Sequence, residues 1–215
     1  MCATTAVMAA VGTGCTASAR VATGLAPRCA LGSSLTWVSP RPLATRQLRV
    51  RLEVLDEVND AWRYEGGHRL DQALAAWNKI GIPVRMLRAA KGDSATVRVV
   101  VMRRLPLDRN DPIAAYRAGV THLTFDAAGA IVGAQILVAE QTPRGESYSS
   151  ADQVATLLHE LGHALGLPHS TNPYAVMSSR TVVSSITATD VSLARSVYAG
   201  HACRPGAAVT AARDE

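Results

Sequence analysis

"TLLHELGHALGLPHSTNPYAVM", residues 156–177, gathers three of the chain's six histidines into the run from His159 to His169. His159 and His163 stand four apart, the spacing that puts two side chains on one face of a helix, one turn above the other. A helix that simply continued would carry His169 to a different face and too far along the axis. Gly166 permits a left-handed turn, and Pro168 disfavours helical backbone in the residue before it. The chain is therefore expected to end its helix near Gly166 and turn His169 back toward the other two rings. Three neutral imidazoles leave the fourth tetrahedral position of a zinc ion to water, the pattern of catalytic rather than structural zinc. Glu160 follows the first of these histidines directly, on the ion-facing edge of the helix. Zinc lowers the pKa of a water it binds to about 7, so a carboxylate in hydrogen-bond reach is a sufficient base and can hand the proton on to a leaving amine. The residues read as one catalytic Zn2+ held by His159, His163 and His169, with Glu160 as base, and hydrolysis of an amide bond as the reaction.

Working outward, Ser149 and Ser150 precede Asp152 and Gln153 by three residues each. That capping-box arrangement comes directly before the helical run Val154, Leu157, Leu158, Leu161. Upstream, Leu48, Val50, Leu52 and Val54 alternate with Arg49, Arg51 and Glu53, a strand with one buried face. "GGHRLDQALAAWNKIGIP", from Gly66 to Pro83, has helical spacing at Leu70, Ala73, Leu74 and Trp77. "PVRMLRA" and "ATVRVVVMR" read as two more strands, the second with the near-continuous apolar run of a strand covered on both faces. "LPLDRNDP", from Leu105 to Pro112, reads as a loop. "VTHLTFD" and "AIVGAQILVA" flank a hairpin signal in which Gly129 supplies positive φ. Downstream, Thr189-Asp190 introduces a last helix with Val191, Ala194, Val197 and Tyr198 on one face.

The whole chain has 215 residues, 48% hydrophobic and 18% charged, which suits one globular domain. Aromatic content of only 4% means the core must be built mainly from Val, Leu, Ile and Ala. The net charge of +5 comes from scattered arginines such as Arg41, Arg46, Arg103 and Arg104. Without a basic stripe interleaved with aromatics, no nucleic-acid binding is expected. No stretch supplies the roughly 20 consecutive apolar residues that a transmembrane helix needs. A monomer is expected.

Residues 1–40 differ from the rest: no charge before Arg20, an Ala-, Val- and Thr-rich run, and Ala17-Ser18-Ala19, which a signal peptidase could accept. They read as an export signal and flexible segment, followed by a domain at 41–203 and a flexible tail at 204–215. That places the protein outside the cell or in the cell envelope, periplasmic or, through Gly14-Cys15, lipid-anchored. Cleavage after Ala19 leaves Cys29 and Cys203, whose simplest use in an oxidising compartment is a disulfide tethering the two ends.

"HELGHALGLPHS" followed by "NPYAVM" resembles the zinc-binding helix and Met-turn of the metzincin peptidases, and Ser170 after the third histidine makes it most similar to the matrixin (matrix-metalloproteinase-like) branch. The resemblance covers roughly residues 45–200 and is specific from 156 to 200. It implies an α+β fold of zincin type: a twisted, mostly parallel five-stranded sheet with one antiparallel edge strand, and three main helices. It also implies His159, His163 and His169 as ligands, Glu160 as base, Met177 as an apolar floor under the metal, and Asp190 as an anchor beneath the Met-turn unless it is only a helix cap.

The chain departs from the pattern in places. No tyrosine stands two residues after Met177, unlike the astacin-like and serralysin-like branches. Pro27-Arg28-Cys29 resembles the matrixin cysteine switch, yet "ALGSS" lacks that motif's Gly and Asp, and 26 preceding residues are too few for a helical prodomain, so switch and disulfide remain alternatives for Cys29. No stretch matches the family's calcium and second-zinc loops, which leaves structural Ca2+ without support.

A protein or peptide substrate is expected to lie extended along an edge strand within "AIVGAQILVA". Pocket walls are expected from Tyr174 to Arg180, with an apolar residue just after the scissile bond. The reading is a zinc-dependent endopeptidase hydrolysing peptide bonds through a zinc-bound water activated by Glu160. The rival is a non-catalytic or single-substrate envelope peptide-binding protein on a metzincin scaffold, which the intact Glu160 argues against.

Overall fold

The computed structural model describes residues 43, 45–106, 117–180 and 183–202. The segment 1–40, the tail 204–215, Cys29, Cys203 and most of the Leu105–Pro112 loop lie outside the described residues. Along the chain come β1 (Gln47–Val54), α1 (Asp60–Asn78), β2 (Arg85–Arg88), β3 (Val97–Met102), β4 (Gly119–Phe125), β5 (Ile131–Ala139), α2 (Ser150–Ala164) and α3 (Ala188–Ala202). The strands form one sheet in the order β2-β1-β3-β5-β4, parallel throughout except for β4, which runs antiparallel to β5 at the edge. This is the expected α+β fold. No helix among the described residues is long and apolar enough to cross a membrane.

Alternation decides which face of the sheet is buried. Register aligns Leu52, Val99, Ile136 and Thr121 in one row across four strands, on the face that also carries Val50, Val97, Val101 and Val138. Leu70, Leu74 and Trp77 of α1 and Leu157, Leu158 and Leu161 of α2 pack against that face, all of them buried. Each fully buried aliphatic side chain contributes on the order of 1.5–3 kcal/mol relative to exposure. The core is aliphatic as composition requires, apart from the fully buried Trp62 and Trp77. Trp77 also ties the two helices together by donating from Nε1 to the Leu158 carbonyl at 2.9 Å.

Two boundaries differ from expectation. Helix α1 begins at Asp60 rather than near Gly66, with Asn59 as its N-cap accepting from the Trp62 N–H at 3.2 Å. Gly66 and Gly67 look like punctuation but serve close approach instead: a Cβ on Gly66 would stand 2.8 Å from Trp62 Cε3, and one on Gly67 would stand 2.5 Å from the Arg88 guanidinium. Helix α3 begins at Ala188, and Thr187 rather than Thr189 caps it, accepting from Asp190 N while Asp190 accepts from Thr187 N at 2.9 Å.

The edge strand is a correction too. β5, which holds "AIVGAQILVA", lies between β3 and β4, so the edge strands are β2 and β4, and the edge beside the cleft is β4. The β4–β5 hairpin turns at Gly129, φ 76°, with the Asp126 carboxylate accepting from the N–H groups of Ala128 and Ala130.

Candidate active site

Helix α2 starts at the capping box of Ser149 and Asp152, each side chain accepting from the other's backbone N–H. It stops as the glycine predicts. Gly166 has φ 83°, its N–H donates to the His163 carbonyl at 2.8 Å, and the Leu167 N–H donates to the Gly162 carbonyl at 3.0 Å. This paired closure is a Schellman motif, and it reverses the chain within two residues. His159, His163 and His169 come together as a result, with one potential ligand atom from each lying within 4.8 Å of the others. Among the described residues no other group of His, Cys, Asp and Glu is so arranged.

The surroundings of the rings fix which nitrogen carries the proton. His159 Nδ1 lies 2.7 Å from the Val176 carbonyl and His163 Nδ1 lies 2.8 Å from the Leu167 carbonyl. A carbonyl can only accept, so both Nδ1 atoms carry the proton and both Nε2 atoms present lone pairs. Those two Nε2 atoms stand 3.1 Å apart. Facing lone pairs repel unless a cation lies between them, and Zn–N bonds of about 2.0–2.1 Å at a tetrahedral angle set two nitrogens about 3.3 Å apart. Burial holds His163 far below the usual histidine range, at about 3, with His159 adding to the effect. Burial also lowers His159 and His169, the latter helped by the charge of Arg117. All three rings are thus neutral at pH 7 and need lose no proton to bind a metal. The donor set fits zinc.

Glu160 is only 5% exposed. Burial pushes its carboxyl up to about 7, against the opposing pull of the Thr121 hydroxyl and of Arg117. Thr121 Oγ1 donates to Glu160 Oε2 at 2.6 Å, and Gly119 leaves room for the same side chain, since a Cβ there would come 2.7 Å from Glu160 Cγ and Oε1. Neither residue was singled out in the sequence. Both arrive from a strand about forty positions away, and only the alternation of β4 around a glycine hints at them.

Met177 is fully buried, and its sulfur fills the space left by the missing side chain of Gly162. Asp190, also fully buried, accepts from Val176 N and Met177 N at 3.0 Å each and from the Thr187 N–H and hydroxyl at 2.9 and 2.6 Å. It is therefore both a helix-capping partner and a clamp on the turn that orients His159 through Val176. Asp190→Ala strands two buried N–H donors and a third that is part-buried, and is expected to cost about 3–5 kcal/mol of stability and to weaken zinc binding about 10–100-fold. Urea unfolding and a zinc-competition titration check both numbers, and a loss below about 1 kcal/mol would show that water replaces the carboxylate without penalty.

The site opens into a cleft of ≈ 1310 Å³. Edge strand β4 forms one wall. The opposite side carries Thr156, His159 and Glu160 of α2 together with Ser178, Ser179 and Arg180. Of the expected wall from Tyr174 to Arg180, only this last part lines the cleft; Ala175, Val176 and Met177 are buried behind it, and Tyr174 is 71% exposed outside it. His122 also borders the cleft as an exposed residue of β4. Of the other two histidines, His68 pairs with Gln72 on α1, while the side chain of His201 lies outside the described residues.

A mostly parallel sheet edged by one antiparallel strand, a helix carrying two histidines, a glycine reversal to a third, and a methionine turn beneath them are the architecture of a metzincin. The family model for matrixin matches residues 46–199, nearly the whole described domain, and the chain belongs to the matrixin family of zinc metallopeptidases. No curated protein matches the chain closely enough to count as a relative.

Proposed function

We propose that the protein is a zinc endopeptidase whose ligands are His159, His163 and His169 and whose base is Glu160. Zinc held there supplies Lewis acidity, polarising the scissile carbonyl and making water acidic enough to be deprotonated near neutral pH. The chain's own groups do the rest. The Val176 and Leu167 carbonyls keep two imidazoles in the tautomer that points Nε2 at the ion. Glu160 takes one proton as water oxygen bonds to the carbonyl carbon, then delivers it to the amide nitrogen as the C–N bond breaks, which leaves a free acid and a free amine. The exposed edge of β4 offers main-chain donors and acceptors to an extended peptide, so affinity is largely independent of side-chain identity. The observation that carries this reading is the convergence of three neutral rings beside a buried carboxylate at the floor of an open cleft.

The test is hydrolysis of a broad peptide library by the purified protein. Wild type is expected to bind one zinc and cut library members, and Glu160→Gln to keep the zinc while losing about a thousandfold or more in turnover. Zinc retained by a wild type that cuts nothing would favour the peptide-binding alternative. For the N-terminal segment the proposal is cleavage after Ala19 on export, which retains Cys29, and the mass of the mature protein decides it along with the fate of Cys15 and Cys29.

A further inference from the structure

Thr121 breaks the pattern of its row. The other members, Leu52, Val99 and Ile136, are aliphatic and packed into the core, yet the row ends in a hydroxyl. That hydroxyl sits 2.6 Å from Glu160 Oε2 and 3.1 Å from the Glu160 backbone carbonyl. It has one proton to give. The shorter contact, in the range of an O–H bond to a charged oxygen, identifies the carboxylate as the acceptor. Two residues earlier on the same face of β4, the bare Cα of Gly119 lets Glu160 Cγ and Oε1 pass within a distance no Cβ would tolerate. The carboxylate is thus held on one side by an open notch and on the other by a hydrogen bond, both supplied by the strand that forms the cleft wall. A free glutamate side chain samples several rotamers, and ordering it costs up to about 2 kcal/mol.

We infer that Thr121 is a positioning residue for the reaction: its hydroxyl fixes Glu160 in the rotamer that serves the cleft, so that turnover depends on it and substrate affinity does not. The inference rests on Glu160 acting as the base. A base displaced by about 1 Å loses on the order of a hundredfold in rate, whereas the main-chain contacts of a bound peptide are untouched. Thr121→Val preserves branching and volume without the donor, and Thr121→Ser preserves the donor without the methyl.

With the zinc-loaded full chain and a cleaved library peptide, Thr121→Val is expected to lower kcat about 10–100-fold with KM within about twofold and zinc content unchanged, while Thr121→Ser stays within about threefold of wild type. A second measurement does not need turnover. In a double-mutant cycle on the metal-free full chain, with Thr121→Val and Glu160→Ala, the unfolding equilibrium constants should be coupled by about tenfold or more. A valine variant with kcat within about twofold of wild type, a serine variant that fails to rescue, or a cycle with no coupling overturns the inference. A wild-type chain that cuts nothing refutes the peptidase reading instead, and the coupling alone then decides whether Thr121 holds the carboxylate.

Discussion

Gly162→Ala is expected to destabilise the protein by about 2–3 kcal/mol and to lower turnover by about a hundredfold or more. Local propensity predicts the opposite sign, because alanine in a helix interior is better than glycine by about 1 kcal/mol. Tertiary contact decides against it. A Cβ on Gly162 would overlap the Met177 sulfur and lie 3.1 Å from Met177 Cε and 3.0 Å from Trp77 Cζ2. Neither neighbour is free to retreat as a unit. Trp77 is pinned through Nε1 to the Leu158 carbonyl, and the Met177 backbone is held by Asp190 on its N–H and by Ser170 on its carbonyl. The thioether can change rotamer, which limits the cost to the range of ordinary overpacking. Activity has less latitude. Gly162 lies between His159 and His163 on α2, and pushing α2 off the turn shifts His159 relative to the Val176 carbonyl that orients it. Thermal melts should fall by about 5–10 °C, and adding Met177→Ala to the alanine variant should recover part of the stability. A Gly162→Ala protein as stable as wild type would show that α2 does not depend on this close approach.

The glycine illustrates where sequence reading stops. Positions 159, 160, 163, 166 and 169 were legible because helix periodicity and one left-handed glycine fix their relation within eleven residues of chain. The partners that hold them were not. Trp77 reaches Leu158, and Thr121 reaches Glu160, across 81 and 39 residues of sequence. No local pattern encodes such pairings. Other differences carry a local signal in the sequence. "AIVGAQILVA" is almost continuously apolar, the mark of a strand flanked on both sides, while "GVTHLTF" places exposed His122 and Thr124 on alternate positions, as an edge strand does. The helical spacing was read from Gly66 onward, yet the cap lies at Asn59, and Gly66 and Gly67 sit inside the helix where Trp62 and Arg88 press against it.

Glu160→Gln should abolish catalysis and, in the metal-free protein, raise stability at alkaline pH. The sign follows from the burial of the carboxyl. Its folded-state pKa is about 7, against an ordinary value of 4.5. A carboxyl raised on folding contributes stability that is complete below the unfolded value and is lost as pH climbs through the folded one. Between about pH 4.5 and 8 the wild type should therefore give up about 3 kcal/mol at this one position, and the glutamine variant, which keeps an acceptor for Thr121 without the charge, should not. His163 acts in the opposite direction. Its folded value of about 3 lies below the ordinary 6.5, so its contribution is present above pH 6.5 and is lost as pH falls. In wild type the two slopes oppose each other between about pH 4.5 and 6.5; in the variant only the histidine slope remains. Urea unfolding in a chelator across pH 4.5–8 should show the two proteins converging at the acid end and separating by about 3 kcal/mol at the alkaline end. Parallel curves would mean that Glu160 is hydrated in the folded state, contrary to its burial. Separation would mean that folding is opposed by the same desolvated charge we propose as the base, a cost that a bound cation beside it would offset.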